Sequence, residues 1–140
     1  MVANGCLVMI TQKFILVLSG IYGMVAVILG AFGAHGLKGK LDPSSSDAFE
    51  TAVRYQFYHA LALMMIGLLY SQLQSGALRS SAVCIMLGTI LFSGSLYFLS
   101  IRTILPFGEL RFLGPVTPLG GLLLIIGWLL FIVAAARTRG

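Results

Sequence analysis

The first long apolar stretch, FILVLSGIYGMVAVILGAFGA from Phe14 to Ala34, decides the fold because its 21 consecutive residues carry no charge. A helix of about 20 apolar residues is long enough to span the hydrocarbon core of a bilayer. Three further apolar runs, at about 54–73, 81–100 and 115–136, have similar lengths. The sequence therefore predicts an all-α polytopic membrane protein, with four transmembrane helices in a single domain over residues 1–140.

The composition points to lipid as the solvent. Of 140 residues, 59% are hydrophobic and only 9% are charged, whereas a soluble domain carries about 25% charged residues. The mean hydropathy is +1.01. The net charge of +5 comes from scattered Lys and Arg with no basic cluster, which argues against nucleic acid as a partner. Two cysteines, Cys6 and Cys84, are too few for a disulfide framework.

One polar segment interrupts the apolar pattern. The stretch DPSSSDAFETAVRYQFY, residues 42–58, holds three of the four acidic residues. Its apolar side chains share one helical face and its charged side chains the other, which predicts an amphipathic interfacial helix at about 44–57, bent into or continuous with the second span. Ser44 and Asp47 have capping-box spacing, and Glu50 and Arg54 form an i,i+4 pair. Residues 71–80 are predicted to form a polar loop.

Orientation follows from the basic residues beside the spans. Four spans place both termini on one side, and the two sides carry nearly equal numbers of Lys and Arg. Arg137 and Arg139 follow the last span directly, without an acidic neighbour. We therefore expect both termini to lie in the cytoplasm.

Small residues recur at helical spacing in three of the spans. Small side chains let membrane helices approach closely, so we expect these faces to pack within the chain, with a homo-oligomer seam or a partner membrane protein as the alternative. The predicted packing residues are Ser19, Gly23, Ala26, Gly30 and Gly33 in the first span, Gly88 in the third, and Gly120, Gly121 and Gly127 in the fourth.

Polar residues near the predicted span ends form the candidate site. Polar side chains at membrane depth are costly and are therefore functional candidates. The candidate cluster, placed at one membrane face, consists of His35, Glu50, Arg54, Tyr58, His59, Ser93 and Thr117. Three interpretations remain open: a structural polar cap, a site for a proton, lipid head group or quinone centred on His59 and Arg54, and a metal or haem site using His35 and His59.

The sequence offers little support for metal binding or catalysis. Two histidines are too few for a typical zinc site, so no metal and no cofactor is predicted. The hydrolase, metalloprotease and nucleotide-binding signatures are missing, which favours a non-enzymatic protein.

Several long motifs carry a family resemblance. They are GAFGAHGL at residues 30–37, FETAVRYQFYHALA at 49–62, LFSGSLY at 91–97 and LGPVTPLGG at 113–121. The chain resembles a small bacterial inner-membrane family of unknown function, the YgdD/YwdK family (domain of unknown function 423), over residues 14–137. The resemblance implies a multi-pass inner-membrane protein and brings no established activity. The expected function is an accessory or assembly subunit of a larger membrane complex, with a lipid-binding or small-molecule-binding protein or transporter as the alternative.

Overall fold

The computed structural model describes residues 11–73, 75–105 and 113–137, and within these ranges the regular secondary structure is helical. The helices are α1 (Gln12–His35), α2 (Pro43–Leu73), α3 (Gly76–Ile101) and α4 (Val116–Ala136). All four are long and apolar enough to cross a bilayer, which confirms the predicted fold class. Cys6, Glu109, Arg111 and Arg139 lie outside the described residues.

The predicted interfacial helix is the first part of α2. This helix has 31 residues and is therefore about 46 Å long at 1.5 Å per residue, well beyond the roughly 30 Å of the hydrocarbon core. The predicted loop at 71–80 is wrong, because α2 continues to Leu73 and α3 begins at Gly76. Ser75 caps α3 by accepting hydrogen bonds from two backbone N–H groups, so a polar serine marks a helix start rather than a long loop.

Asp42 caps the start of α2. Its carboxylate accepts the backbone N–H of Ser45 at 3.0 Å and the Ser45 hydroxyl at 2.6 Å. The predicted capping box of Ser44 and Asp47 is wrong, because Pro43 already occupies the first helical position and so makes the preceding residue the cap. The Ser45 hydroxyl, together with the Ser45 N–H, lowers the pKa of the Asp42 carboxyl below its ordinary value.

The helices pack mainly as sequential pairs, α1 on α2, α2 on α3 and α3 on α4, and the other pairs make only slight contact. In the most apolar part of each helix, 44% of α2 residues and 39% of α3 residues are buried, against 22% in both α1 and α4. α2 and α3 are thus the inner pair and α1 and α4 the outer pair. The core runs between them, through residues such as Ile15, Leu63, Leu78 and Ile85.

Glycines set the helix spacing. A Cβ on Gly33 would lie 2.8 Å from the Phe49 ring, and one on Gly23 would lie 3.9 Å from the Cβ of Ala60. The small-residue face of α1 therefore packs against α2 within the same chain. In the other hairpin, Gly88 faces Leu124, Gly127 faces Ile85, and Gly120 lies against the backbone of Phe92.

Candidate functional site

A buried glutamine joins three helices. The Gln56 amide donates to the backbone carbonyl of Tyr22 on α1 at 2.9 Å, and its carbonyl oxygen accepts the Tyr97 hydroxyl of α3 at 2.9 Å. The Tyr22 hydroxyl donates to the backbone carbonyl of Met86 at 3.1 Å. Gln56 is only 7% exposed, so these hydrogen bonds compensate the cost of holding an amide away from water.

His59 forms the second buried polar contact. Its Nδ1 lies 2.7 Å from the carbonyl of Tyr55, which can only accept, so Nδ1 carries the hydrogen. Its Nε2 lies 3.2 Å from the indole N–H of Trp128, which can only donate, so Nε2 accepts. The partners therefore select one neutral tautomer of His59, and both ring nitrogens are engaged.

Helix register places this contact midway along the bundle. His59 stands at the centre of α2, and its neighbour Ala60 faces Gly23, which stands halfway along α1. Trp128 stands just past the centre of α4. His59 therefore lies at the centre of a helix rather than near its end, because α2 begins well before the second span predicted from hydropathy. Its position relative to the membrane face stays a prediction.

Glu50 and Arg54 lie apart from His59. They form an ion pair of 2.8 Å in which the side chains are 60% and 64% exposed. Glu50 and His59 are nine residues apart, which at 100° per residue puts them on opposite faces of α2. The prediction that all seven residues share one cluster is wrong for this reason, since one face of the helix meets solvent or head groups and the other meets the core.

The remaining candidates are also dispersed. The ring nitrogen of His35 bonds its own helix at the carbonyl of Ala31, and the ring of Tyr58 is exposed beside Tyr55. Thr117 shares a 2.7 Å hydrogen bond with Ser95 across the α3–α4 contact. Ser93 is fully buried, and its hydroxyl has no hydrogen-bond partner among the described residues.

This arrangement suits binding and packing better than proton transfer. A catalytic or metal-ligating histidine needs a free ring nitrogen aimed at its substrate or metal, whereas Trp128 occupies the Nε2 of His59. Among residues 11–73, 75–105 and 113–137, no group of three His, Cys, Asp or Glu side chains is placed to hold a metal ion.

Two concave surfaces lie beside α1. The interfacial cleft, between the end of α1 and the start of α2, has a volume of about 220 Å³. It is lined by Gly30, Gly33, Ala34, Leu41, Ser46, Phe49, Glu50, Val53 and Arg54. The α1–α3 groove has about 290 Å³, and Gln56 and Tyr97 line it among apolar side chains.

Sequence reasoning missed four residues: Gln56, Tyr22, Tyr97 and Trp128. Gln56 carried a usable signal, because an amide on the apolar side of a membrane helix needs a partner. Nothing in the sequence shows which groups supply that partner, because the Tyr22 carbonyl and the Tyr97 hydroxyl belong to residues 34 and 41 positions away along the chain.

The described fold can now be compared with known proteins. The model of a protein family of unknown function, DUF423, matches residues 29–121, which is more than half of the chain and includes all seven residues of the predicted polar cluster. The chain belongs to the DUF423 family. No solved structure matches it.

Relatives in the family are membrane proteins. The UPF0382 membrane protein SERP0230 of Staphylococcus epidermidis is 41% identical over 92% of this chain and all of its own length. The UPF0382 membrane protein YwdK of Bacillus subtilis is 40% identical over 90% of this chain and 98% of its own. SH2409 of Staphylococcus haemolyticus is 41% identical over 92% of this chain and all of its own. The predicted family and the multi-pass membrane character are confirmed.

Proposed function

We propose that this protein is a non-enzymatic accessory or assembly subunit of a larger complex in the bacterial inner membrane. The outward faces of α1 and α4 carry this proposal. On α4, Leu122, Ile125, Leu129 and Ile132 follow one another at spacings of three, four and three residues, and each is 53–59% exposed. A stripe with this spacing matches the seam along which two long helices pack, and no helix of the described chain covers it.

The buried chemistry supports a structural rather than a catalytic role. The hydrogen bonds of Gln56 and His59 close within the chain and tie inner helices to outer ones. The bond between His59 and Trp128 fixes how α4 presents its outer face. An accessory subunit needs that kind of fixed surface more than it needs a reactive group.

The proposal is tested by placing a photo-crosslinking amino acid at Ile125 or Leu129, in protein expressed in its own membrane. We expect crosslinks to one defined partner chain, together with a hetero-complex of fixed stoichiometry by mass after gentle extraction. The same crosslinker at Leu68, an exposed apolar position of α2, serves as the control. Equal crosslinking from Leu68, or a partner-free monomer in native membranes, would contradict the proposal.

The cytoplasmic location of both termini is part of the proposal. Arg137, directly after α4, supports it through the positive-inside rule. A C-terminal fusion to alkaline phosphatase, which is active only outside the cytoplasm, should be inactive, and the matching fluorescent-protein fusion should fluoresce. The opposite pair of results would invert the orientation.

The α1–α3 groove favours a second candidate, a protein that binds a hydrophobic small molecule or lipid. Gly94 lines this groove, and a Cβ there would have no neighbour within 4 Å, so we expect the side chain of Gly94→Leu to fill the groove. If the groove holds a ligand, this variant should lose a small molecule that wild-type protein retains on purification, as judged by mass. Gly20→Leu, at a similarly open position outside the groove, is the matched control. Identical small-molecule content in all three proteins would exclude this candidate.

A further inference from the structure

We propose that the interfacial cleft binds the head group of a zwitterionic phospholipid with a primary ammonium, such as phosphatidylethanolamine. Glu50 and Arg54 stand side by side at the rim of the cleft, one negative and one positive. A phosphoethanolamine head group carries the complementary charges, phosphate for Arg54 and ammonium for Glu50. The inference is independent of the accessory-subunit proposal, because the cleft lies away from the α4 stripe.

The depth of the cleft fits a head group. Gly30, Gly33 and Ala34 lie about 10–16 Å beyond the midpoint of α1, at 1.5 Å per residue. The hydrocarbon core ends about 15 Å from its centre. With the midpoint of α1 placed at the bilayer centre, the cleft straddles the boundary at which phospholipids carry their glycerol and phosphate.

The shape of the cleft fits the molecule below the head group. Two glycines and an alanine form the α1 wall, and the side chains of Phe49 and Val53 form the α2 wall. The whole cleft, including the part beside Glu50 and Arg54, has a volume of about 220 Å³. Glycerol and the first methylenes of an acyl chain can occupy that space while the phosphate stays at the rim.

The ion pair keeps bonding capacity for such a ligand. Only one guanidinium nitrogen of Arg54 bonds Glu50, through one carboxylate oxygen, at 2.8 Å. The other guanidinium N–H groups can bind a phosphate in the bidentate manner that arginine favours, and the second carboxylate oxygen can accept an ammonium. The head group thus adds to the pair without breaking it.

Glu50 would distinguish an ethanolamine head group from choline and glycerol head groups. A quaternary choline has no N–H to donate to Glu50, and an anionic glycerol head group would meet the Glu50 carboxylate with no positive charge. Both retain the phosphate contact with Arg54. Glu50 is therefore the specificity residue, and Arg54 is the general phosphate contact.

The test uses full-length protein in nanodiscs that contain equal amounts of phosphatidylethanolamine, phosphatidylcholine and phosphatidylglycerol with identical acyl chains. Retained lipids are counted by native mass spectrometry. We expect wild-type protein to retain roughly 1.5 to 5 times as much phosphatidylethanolamine as either of the other two lipids. This ratio corresponds to the free energy that an exposed ion pair contributes. Glu50→Gln should remove this preference, and Arg54→Gln should lower retention of all three lipids.

Matched variants control for charge alone. Asp47→Asn and Lys38→Gln remove one acid and one base that are exposed near this end of the bundle but do not line the cleft. Both should keep the wild-type preference. Equal retention of the three lipids by wild-type protein, or the same change in Asp47→Asn as in Glu50→Gln, would overturn the proposal. Circular dichroism of each variant confirms that the helices are intact.

Discussion

The two helical hairpins, α1–α2 and α3–α4, both place glycine at their contact, but the glycines meet different atoms. In α3–α4, Gly120 faces the backbone of Phe92, with a Cβ position 2.8 Å from its Cα. In α1–α2, Gly33 faces the ring of Phe49, and Gly23 faces only the Cβ of Ala60. A side-chain ring can give way to an added atom more readily than helical backbone can. We therefore expect the α3–α4 contact to be rigid and the α1–α2 contact to be adjustable.

This difference bears on where ligands bind. Both the interfacial cleft and the α1–α3 groove have α1 as one wall. The adjustable hairpin thus lines the two concave surfaces, while the rigid hairpin carries the α4 stripe proposed to contact a partner. Binding sites gain from a wall that can move, and docking surfaces gain from one that cannot.

The largest expected effect is at the rigid contact. Gly120→Ala should destabilise the protein by about 1–3 kcal/mol or more, because the new methyl group meets backbone of α3. The measurement is unfolding in mixed detergent micelles, followed by circular dichroism. Gly121→Ala is the matched control, since its Cβ would make ordinary contact at 3.6 Å with the Phe92 ring. Equal stability of the two variants would remove the distinction between the hairpins.

A smaller effect is expected between the hairpins, where His59 of α2 meets Trp128 of α4. In a double-mutant cycle with Trp128→Phe and His59→Phe, we expect a coupling free energy of about 0.6 kcal/mol, with an upper limit of about 1.7 kcal/mol. The same unfolding assay provides the four stabilities. A coupling of zero would mean that the bond between His59 and Trp128 adds nothing to the packing around it.

Gly33→Ala tests the adjustable contact. The new methyl group would lower the stability, because the Phe49 ring must shift and this ring also packs on Tyr97 at a centroid distance of 5.1 Å. Alanine would raise the stability by up to about 1 kcal/mol, because it favours the helix more than glycine does. We expect a net change within about 1 kcal/mol in the unfolding assay, well below that of Gly120→Ala. A loss as large as that of Gly120→Ala would show that the α1–α2 contact is as rigid as the α3–α4 contact.

The smallest effect is expected at the surface of α2. Replacing Glu50 by Gln should cost about 0.3–0.5 kcal/mol, because the pair with Arg54 is exposed and spaced i,i+4. The loss should shrink further in high salt, since exposed charges are screened. A loss of several kcal/mol that salt does not change would mean that the pair is buried in the membrane-bound protein.

Much of the fold was predictable because lipid imposes a simple rule on sequence. Each span must satisfy its backbone hydrogen bonds within a helix and must be apolar over about 20 residues, and both properties are local. The run from Phe14 to Ala34 and the three later runs therefore predict four helices. The glycine spacing in α1 likewise predicts a packing face.

The candidate site was less predictable because its partners are distant in sequence. Hydropathy placed the start of the second span at Arg54 and so put His59 near the surface, whereas the unbroken helix from Pro43 puts it at the centre of that helix. Glu50 and Arg54 lie on the exposed face of α2, whereas His59 lies on the face that packs against α4.

By itself, the sequence determined that this protein lies in a membrane as four helices, because burial in lipid depends on local composition. Only the tertiary structure decided that Gln56 joins Tyr22 to Tyr97, and that Trp128 fixes the tautomer of His59. A buried polar group takes its chemistry from its partner, and helix packing selects that partner.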